Sequence, residues 1–256
     1  IKRKYYHPNN SLLVICGDVK PEEAFAKAEK IFGSWEHSGF DPHQKYPIPE
    51  FAPLTSTQYF VKESSIAQTP YMLFFWQGPD TRKDSASTVA ADVFNTMLGL
   101  NSSKWQQALV DKGLATYAGV SYQTEKYVGP VNIYVLPNPL KLKECYEEVM
   151  KQIKMWTDND YYTDDQLNTA KLNLQRSFIR QTEKPSSLAS QLTYYWCSAS
   201  LEYYTDYISA YGKVTRADIK NYLEKYIVNK NYVAGTIINA EMSKSTGISS
   251  FFKPSN

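Results

Sequence analysis

The sequence predicts an α+β domain, with helices packed on one face of a mostly antiparallel sheet. Short apolar runs bounded by Gly, Pro, Asn and Asp recur along the chain and read as strands. Longer stretches with apolar residues at helical spacing lie between them. Their order is strands, helix, strands, helices, strand, without the regular alternation that a parallel βαβ sheet needs.

In chain order, "SLLVICG" (11–17) is a short apolar run that reads as a buried strand. "KPEEAFAKAEKIFGSW" follows as an amphipathic helix. Pro21 suits its first turn, Glu22 and Glu23 favour its positive end, and Gly33 can stop it. Residues 36–55 carry Pro42, Pro47, Pro49 and Pro53 with few periodic apolar positions, and read as an extended linker. "TQYFVKE" and "QTPYMLFFWQG" then read as strands, the second apolar on both faces.

"DSASTVAADVFNTMLG" is a helix with Val89, Val93, Met97 and Leu98 on one side, and "SSKWQQALVDKG" a short helix ended by Gly113. "LATYAGVSYQT" and "KYVGPVNIYVLP" are two strands joined by a turn. "LKLKECYEEVMKQIKMW" places Leu142, Cys145, Val149 and Ile153 at helical spacing. The next helix opens with Thr163 and Gln166 in capping-box register. One or two helices cover about 186–212, "VTRADIKNYLEKYI" starts with an N-cap at Thr215, and a strand at 231–239 closes the segment.

The 256 residues suffice for one large domain, or one domain plus part of another. A net charge of +2 without a basic stripe gives no footprint for nucleic acid. No apolar run is long enough to span a membrane, and the first residues form no signal segment, so a soluble chain is expected and its compartment stays open. Cys16, Cys145 and Cys197 are odd in number and far apart, form no framework, and Cys16 and Cys145 read as small core residues. Tyrosine is abundant at 21 residues, which fits amphipathic packing first and a binding surface for peptide or glycan second.

Catalytic chemistry is hard to place. His7 precedes a proline, and His37 and His43 lie in the Pro-rich stretch, where no rigid element holds metal ligands at a defined spacing. There is no G-x-S-x-G elbow and no Gly-rich phosphate loop. The acidic pairs Glu147-Glu148 and Asp164-Asp165 fall on helix surfaces or N-termini.

An internal repeat is more informative. "KYYHPNNSLLVICGD" overlays "KYIVNKNYVAGTIIN": Lys4-Tyr5 falls on Lys225-Tyr226, Asn10 on Asn231, Leu12–Cys16 on Val233–Ile237 and Asp18 on Asn239. The chain begins with a pattern that elsewhere closes a domain.

Together with this opening, the stretches "DSASTVAADVFNTMLGLNSSKWQQALVDKGLATYAGVSY", "TDDQLNTAKLNLQRSF" and "YGKVTRADIKNYLEKYI" resemble, in family order, the pitrilysin/insulinase zinc metallopeptidases, which include the mitochondrial processing peptidases. The resemblance covers nearly all of residues 1–240. It implies tandem domains of one LuxS/MPP-like α+β fold, paired into a clamp around an extended peptide. It therefore implies residues 1–35 as the last strand and helix of a preceding homologous domain, 36–55 as linker, 56–241 as a second, non-catalytic domain, and 242–256 as a polar tail.

In that family zinc sits on H-x-x-E-H with a distal Glu. No such motif occurs here, and no two histidines are four apart. The resemblance implies no catalytic residue and no metal in this piece, with zinc expected in the parent enzyme if H-x-x-E-H is present upstream; the other reading is a non-catalytic family member. The expected partners are an extended peptide and a zinc-binding domain or second half of the clamp, in the same or a separate chain. The expected role is to shape the peptide chamber; the alternative is a structural or interaction subunit without peptidase activity. One clamp half of the family carries an Arg followed seven residues later by a Tyr. Here "ALVDKGLATY" places Tyr117 at the Tyr position, the one candidate substrate contact, but Val110 where the Arg would be.

Overall fold

Gln58–Glu63 (β1), Tyr71–Gln77 (β2), Ala115–Tyr122 (β3), Pro130–Pro137 (β4) and Val233–Ile238 (β5) pair into a five-stranded sheet in the order β1-β5-β2-β4-β3. The pair β1/β5 is parallel and the other three are antiparallel. This computed structural model describes residues 1–252. The longer helices are α1 (Pro21–Phe32), α2 (Ser85–Leu98), α3 (Leu142–Met155), α4 (Asp164–Thr182), α5 (Pro185–Ser198), α6 (Leu201–Lys213) and α7 (Arg216–Tyr226). Two shorter ones follow β5, α8 (Ala240–Thr246) and α9 (Ile248–Phe251).

The chain divides into two units: Ile1–Phe51 with Ser177–Thr205, and Ala52–Arg176 with the residues from Asp206 on. The second unit holds the sheet. Alternation along β2 sends Met72, Phe74 and Trp76 inward, each at most 3% exposed. The core they belong to also holds Ile133 and Val135 of β4, Phe94 of α2, Val149 of α3 and Ile219 of α7, all buried. This is the expected α+β layer, with helices on one face of the sheet.

Local chemistry fixes the helix ends. Thr215 and Asp218 form a reciprocal capping box at the start of α7. Thr163 and Gln166 do the same before α4, with Thr163 N donating to Gln166 Oε1 at 2.9 Å and Gln166 N to Thr163 Oγ1 at 3.2 Å. Asp84 caps α2 and also accepts from Lys225 Nζ at 2.6 Å and Tyr226 Oη at 2.9 Å, tying the end of α7 to the start of α2. Burial alone would raise its pKa, but the hydrogen bonds from Lys225, Tyr226 and Ser87 outweigh it and hold the carboxyl below its usual value. Gly113 sits at φ 66°, a left-handed position that ends the short helical segment at Lys104–Asp111.

Two expectations need correction. "SLLVICG" is not a buried strand: it forms no strand at all, and Leu12, Leu13 and Ile15 are 36%, 56% and 48% exposed. A strand exists only with a pairing partner, and among the described residues none lies beside this run. Its counterpart in the repeat, β5, has β1 on one side and β2 on the other. The second correction concerns 242–256, which is not a polar tail. It holds most of α8 and all of α9, and Ile248 and Phe252 are buried; residues 253–256 lie outside the described residues. Phe252 packs edge-on against Tyr59, and its ring also meets Tyr146 of α3.

Within the first unit, α1 leaves Phe25, Ile31 and Phe32 exposed beside Leu13 and Ile15. Asn9 Nδ2 donates to Phe40 O at 2.8 Å, and Tyr5 packs on Tyr46, so the opening turn is tied to the Pro-rich stretch.

Gly235 shows how closely the sheet is fitted. It lies under the ring of Phe60, its partner on β1, and a Cβ there would run into that ring. Gly235→Ala should destabilise the chain by about 1–3 kcal/mol. In a Phe60→Ala background most of that cost should vanish, as a double-mutant cycle in denaturant would record. An equal cost in both backgrounds would mean that the ring is not the obstacle.

Candidate functional site

The sheet's other face is unusual in composition. In an antiparallel sheet with helices on one side, the second side is normally polar. Here the outward positions run, in register across the strands, Phe60–Gly235–Leu73–Tyr134–Gly119. The adjacent row holds Lys62, Ile237 and Tyr71. On the β4/β3 side, Leu136 pairs with Tyr117. Among the outward-facing strand residues Lys62 is the one charge.

Three tyrosines converge here from three strands. The Tyr71 and Tyr134 rings lie 5.7 Å apart, and Tyr117 and Tyr134 lie 5.9 Å apart edge to face. Tyr117 is 51% exposed and Tyr134 36%. Partial burial, followed by the neighbouring phenols of Tyr71 and Tyr117, pushes the Tyr134 hydroxyl above its ordinary value, so it stays a protonated donor at neutral pH. None of the three hydroxyls makes a hydrogen bond among the described residues. Glycines make the arrangement possible: a side chain at position 119 would occupy the space of the Tyr117 ring. The β3 strand that carries Tyr117 is an edge of the sheet.

Tyr117, the residue for which the family resemblance implies a substrate contact, stands on this face. Val110 lies in the π turn Gln107–Asp111 and offers no donor. Tyr71, Tyr134, Phe60 and Leu73 were not singled out from sequence. The available signal was the doubly apolar β2 run and the alternation in "PVNIYVLP", where Tyr134 and Leu136 oppose Ile133 and Val135.

All three histidines belong to the first unit. His7 Nε2 is 3.1 Å from Arg3 O and its ring packs on Phe40, His37 Nδ1 accepts from Gly39 N at 3.1 Å, and the His43 ring lies 6.0 Å from Tyr5. Among the described residues no three His, Cys, Asp or Glu side chains gather as metal ligands. Cys145 is buried in α3, and that burial pushes its thiol up to about 12, away from nucleophilic use. What the face offers is apolar contact and three phenol hydroxyls.

Residues 2–174 match the family model described as the peptidase M16 inactive domain. The chain is 23% identical over 231 residues to the zinc protease PqqE of Helicobacter pylori, covering 87% of this chain and 50% of that protein. A solved protease structure from Helicobacter pylori superposes with a TM-score of 0.80 at 20% identity, over 92% of this chain and 57% of that one. A peptidase M16 inactive domain from Pseudomonas fluorescens does so with a TM-score of 0.65 at 17% identity, over 88% and 52%. The chain thus spans about half the length of these relatives. Treatment of the isolated chain with EDTA should leave its melting temperature unchanged, and metal analysis after dialysis should find no stoichiometric zinc; a chelator-induced drop in Tm would reveal a site that the described residues do not form.

Proposed function

Because this chain belongs to the peptidase M16 inactive-domain family, we propose that its outward sheet face forms one wall of the peptide chamber of a zinc metallopeptidase. In this reading the chain contributes no reacting group. Zinc and its activated water belong to a catalytic half, and this half holds extended peptides by apolar contact and through phenol hydroxyls aimed at backbone carbonyls. The observation that carries it is the apolar outer face with Tyr71, Tyr117 and Tyr134 at its centre, on a sheet whose opposite face already fills the core. An exposed apolar surface of this kind marks an interaction site.

Val110, standing where one clamp half of the family has an Arg, supports assignment to the second domain of a zinc-bearing half. Compared with the reading as a purely structural subunit, a chamber wall ties the face to turnover. In the full-length protein, Leu73→Ser with Tyr134→Ser should raise KM for an unstructured peptide about tenfold, with kcat changed much less. Activity should vanish with a chelator in both forms. Chelator-sensitive activity with an unchanged KM in the double variant would remove this face from the chamber.

A further inference from the structure

We propose that Asp92 and Tyr207 form a proton-controlled latch that sets how readily α6 lifts away from α2. Asp92 lies on α2 and its carboxylate accepts a hydrogen bond from the Tyr207 hydroxyl of α6. From α7 the titratable group facing it is Tyr222, 1% exposed, whose hydroxyl is raised first by burial and then by the Asp92 charge. The ring of Tyr211, one turn along α6, packs on Tyr207 with centroids 4.4 Å apart. No Lys, Arg or His pairs with Asp92 among the described residues. One turn further along α2, Asn95 buries both amide atoms without a hydrogen-bond partner. This side of α2 is thus polar where a permanent helix contact would be apolar.

The two helices are held differently. On α2, Val93, Phe94 and Met97 are buried, and Asp84 fastens its start to α7. Two further ties to α6 are long: Gln175 Nε2 to Ile208 O and Lys171 Nζ to Gly212 O, both 3.4 Å. The side chains that α6 buries here are the tyrosines Tyr207 and Tyr211, whereas α2 is anchored by apolar groups, so opening of the latch displaces α6 rather than α2.

The proton linkage has a definite sign. Asp92 keeps a little accessible surface, but its carboxyl lies deep in the protein mass, and this desolvation pushes its pKa up to about 7 despite the bond from Tyr207. Once open, the same group returns to the ordinary carboxylate value of about 4. The closed form therefore binds the proton more tightly. Closure is strongest at low pH, weakens as pH rises from about 4 to about 7, and is constant above that.

Amide hydrogen exchange of α6 across pH 5 to 8 tests this. Protection factors, corrected for intrinsic exchange, should fall about tenfold per pH unit between pH 5 and 7 and level off above. Asp92→Asn should make them independent of pH. Tyr207→Phe keeps the ring but removes the hydrogen bond that favours the charged carboxylate, so the level region should begin at higher pH. A pH slope that survives in Asp92→Asn, a flat profile in the unmodified chain, or an unmoved transition in Tyr207→Phe would each overturn the latch. The last comparison stands even if Asp92→Asn does not fold.

Discussion

The two-sided apolar character of β2 is the constraint on which the rest of the sheet unit depends. Its inward residues Met72, Phe74 and Trp76 fill the core, so a period of two sends Tyr71, Leu73 and Phe75 to the other face. A central strand of this kind normally lies between two helical layers. Here the helices cover one face, and the second apolar face is left for another role. Register then brings Tyr134 and Tyr117 beside Tyr71, and Gly119 and Gly235 leave room for the rings that lie over them.

Much of this was legible in the sequence, because it rested on local pattern. The strands, the capped starts of α4 and α7, and β2's apolarity on both sides all follow from spacing and composition. The failures share a physical cause: they depended on partners distant in sequence. Leu12–Cys16 and Val233–Ile237 carry nearly the same local message, yet only the second becomes a strand, because pairing decides strand formation. The stretch after β5 looks polar residue by residue, and only tertiary packing shows that Ile248 and Phe252 are core residues. Tyr117 could be found from a motif. Tyr71 and Tyr134 could not, since register across three strands creates the cluster. Asp92 was hidden for a related reason: the apolar stripe of α2 suggests one buried side, whereas the helix is enclosed on most of its circumference.

The two units present different apolar surfaces. The first exposes Leu13, Ile15, Phe25 and Ile31 beside an unpaired extended run, the sort of surface that folded chains cover. The second exposes an aromatic sheet face that carries the hydroxyls of Tyr71, Tyr117 and Tyr134. Among the described residues neither gathers a set of metal ligands. In the proposed reading as a chamber wall, the sheet face would hold an extended chain through apolar side chains and phenol hydroxyls.

The most direct measurement is site-specific photo-crosslinking in the full-length protein, with a photoreactive residue at position 134 on the sheet face and, as a control, at position 140, where Leu140 is 92% exposed. Incubated with an unstructured peptide and irradiated, position 134 should capture the peptide and position 140 should not. Capture at both positions alike, or at 134 only of the protein's own segments, would contradict a substrate-holding face.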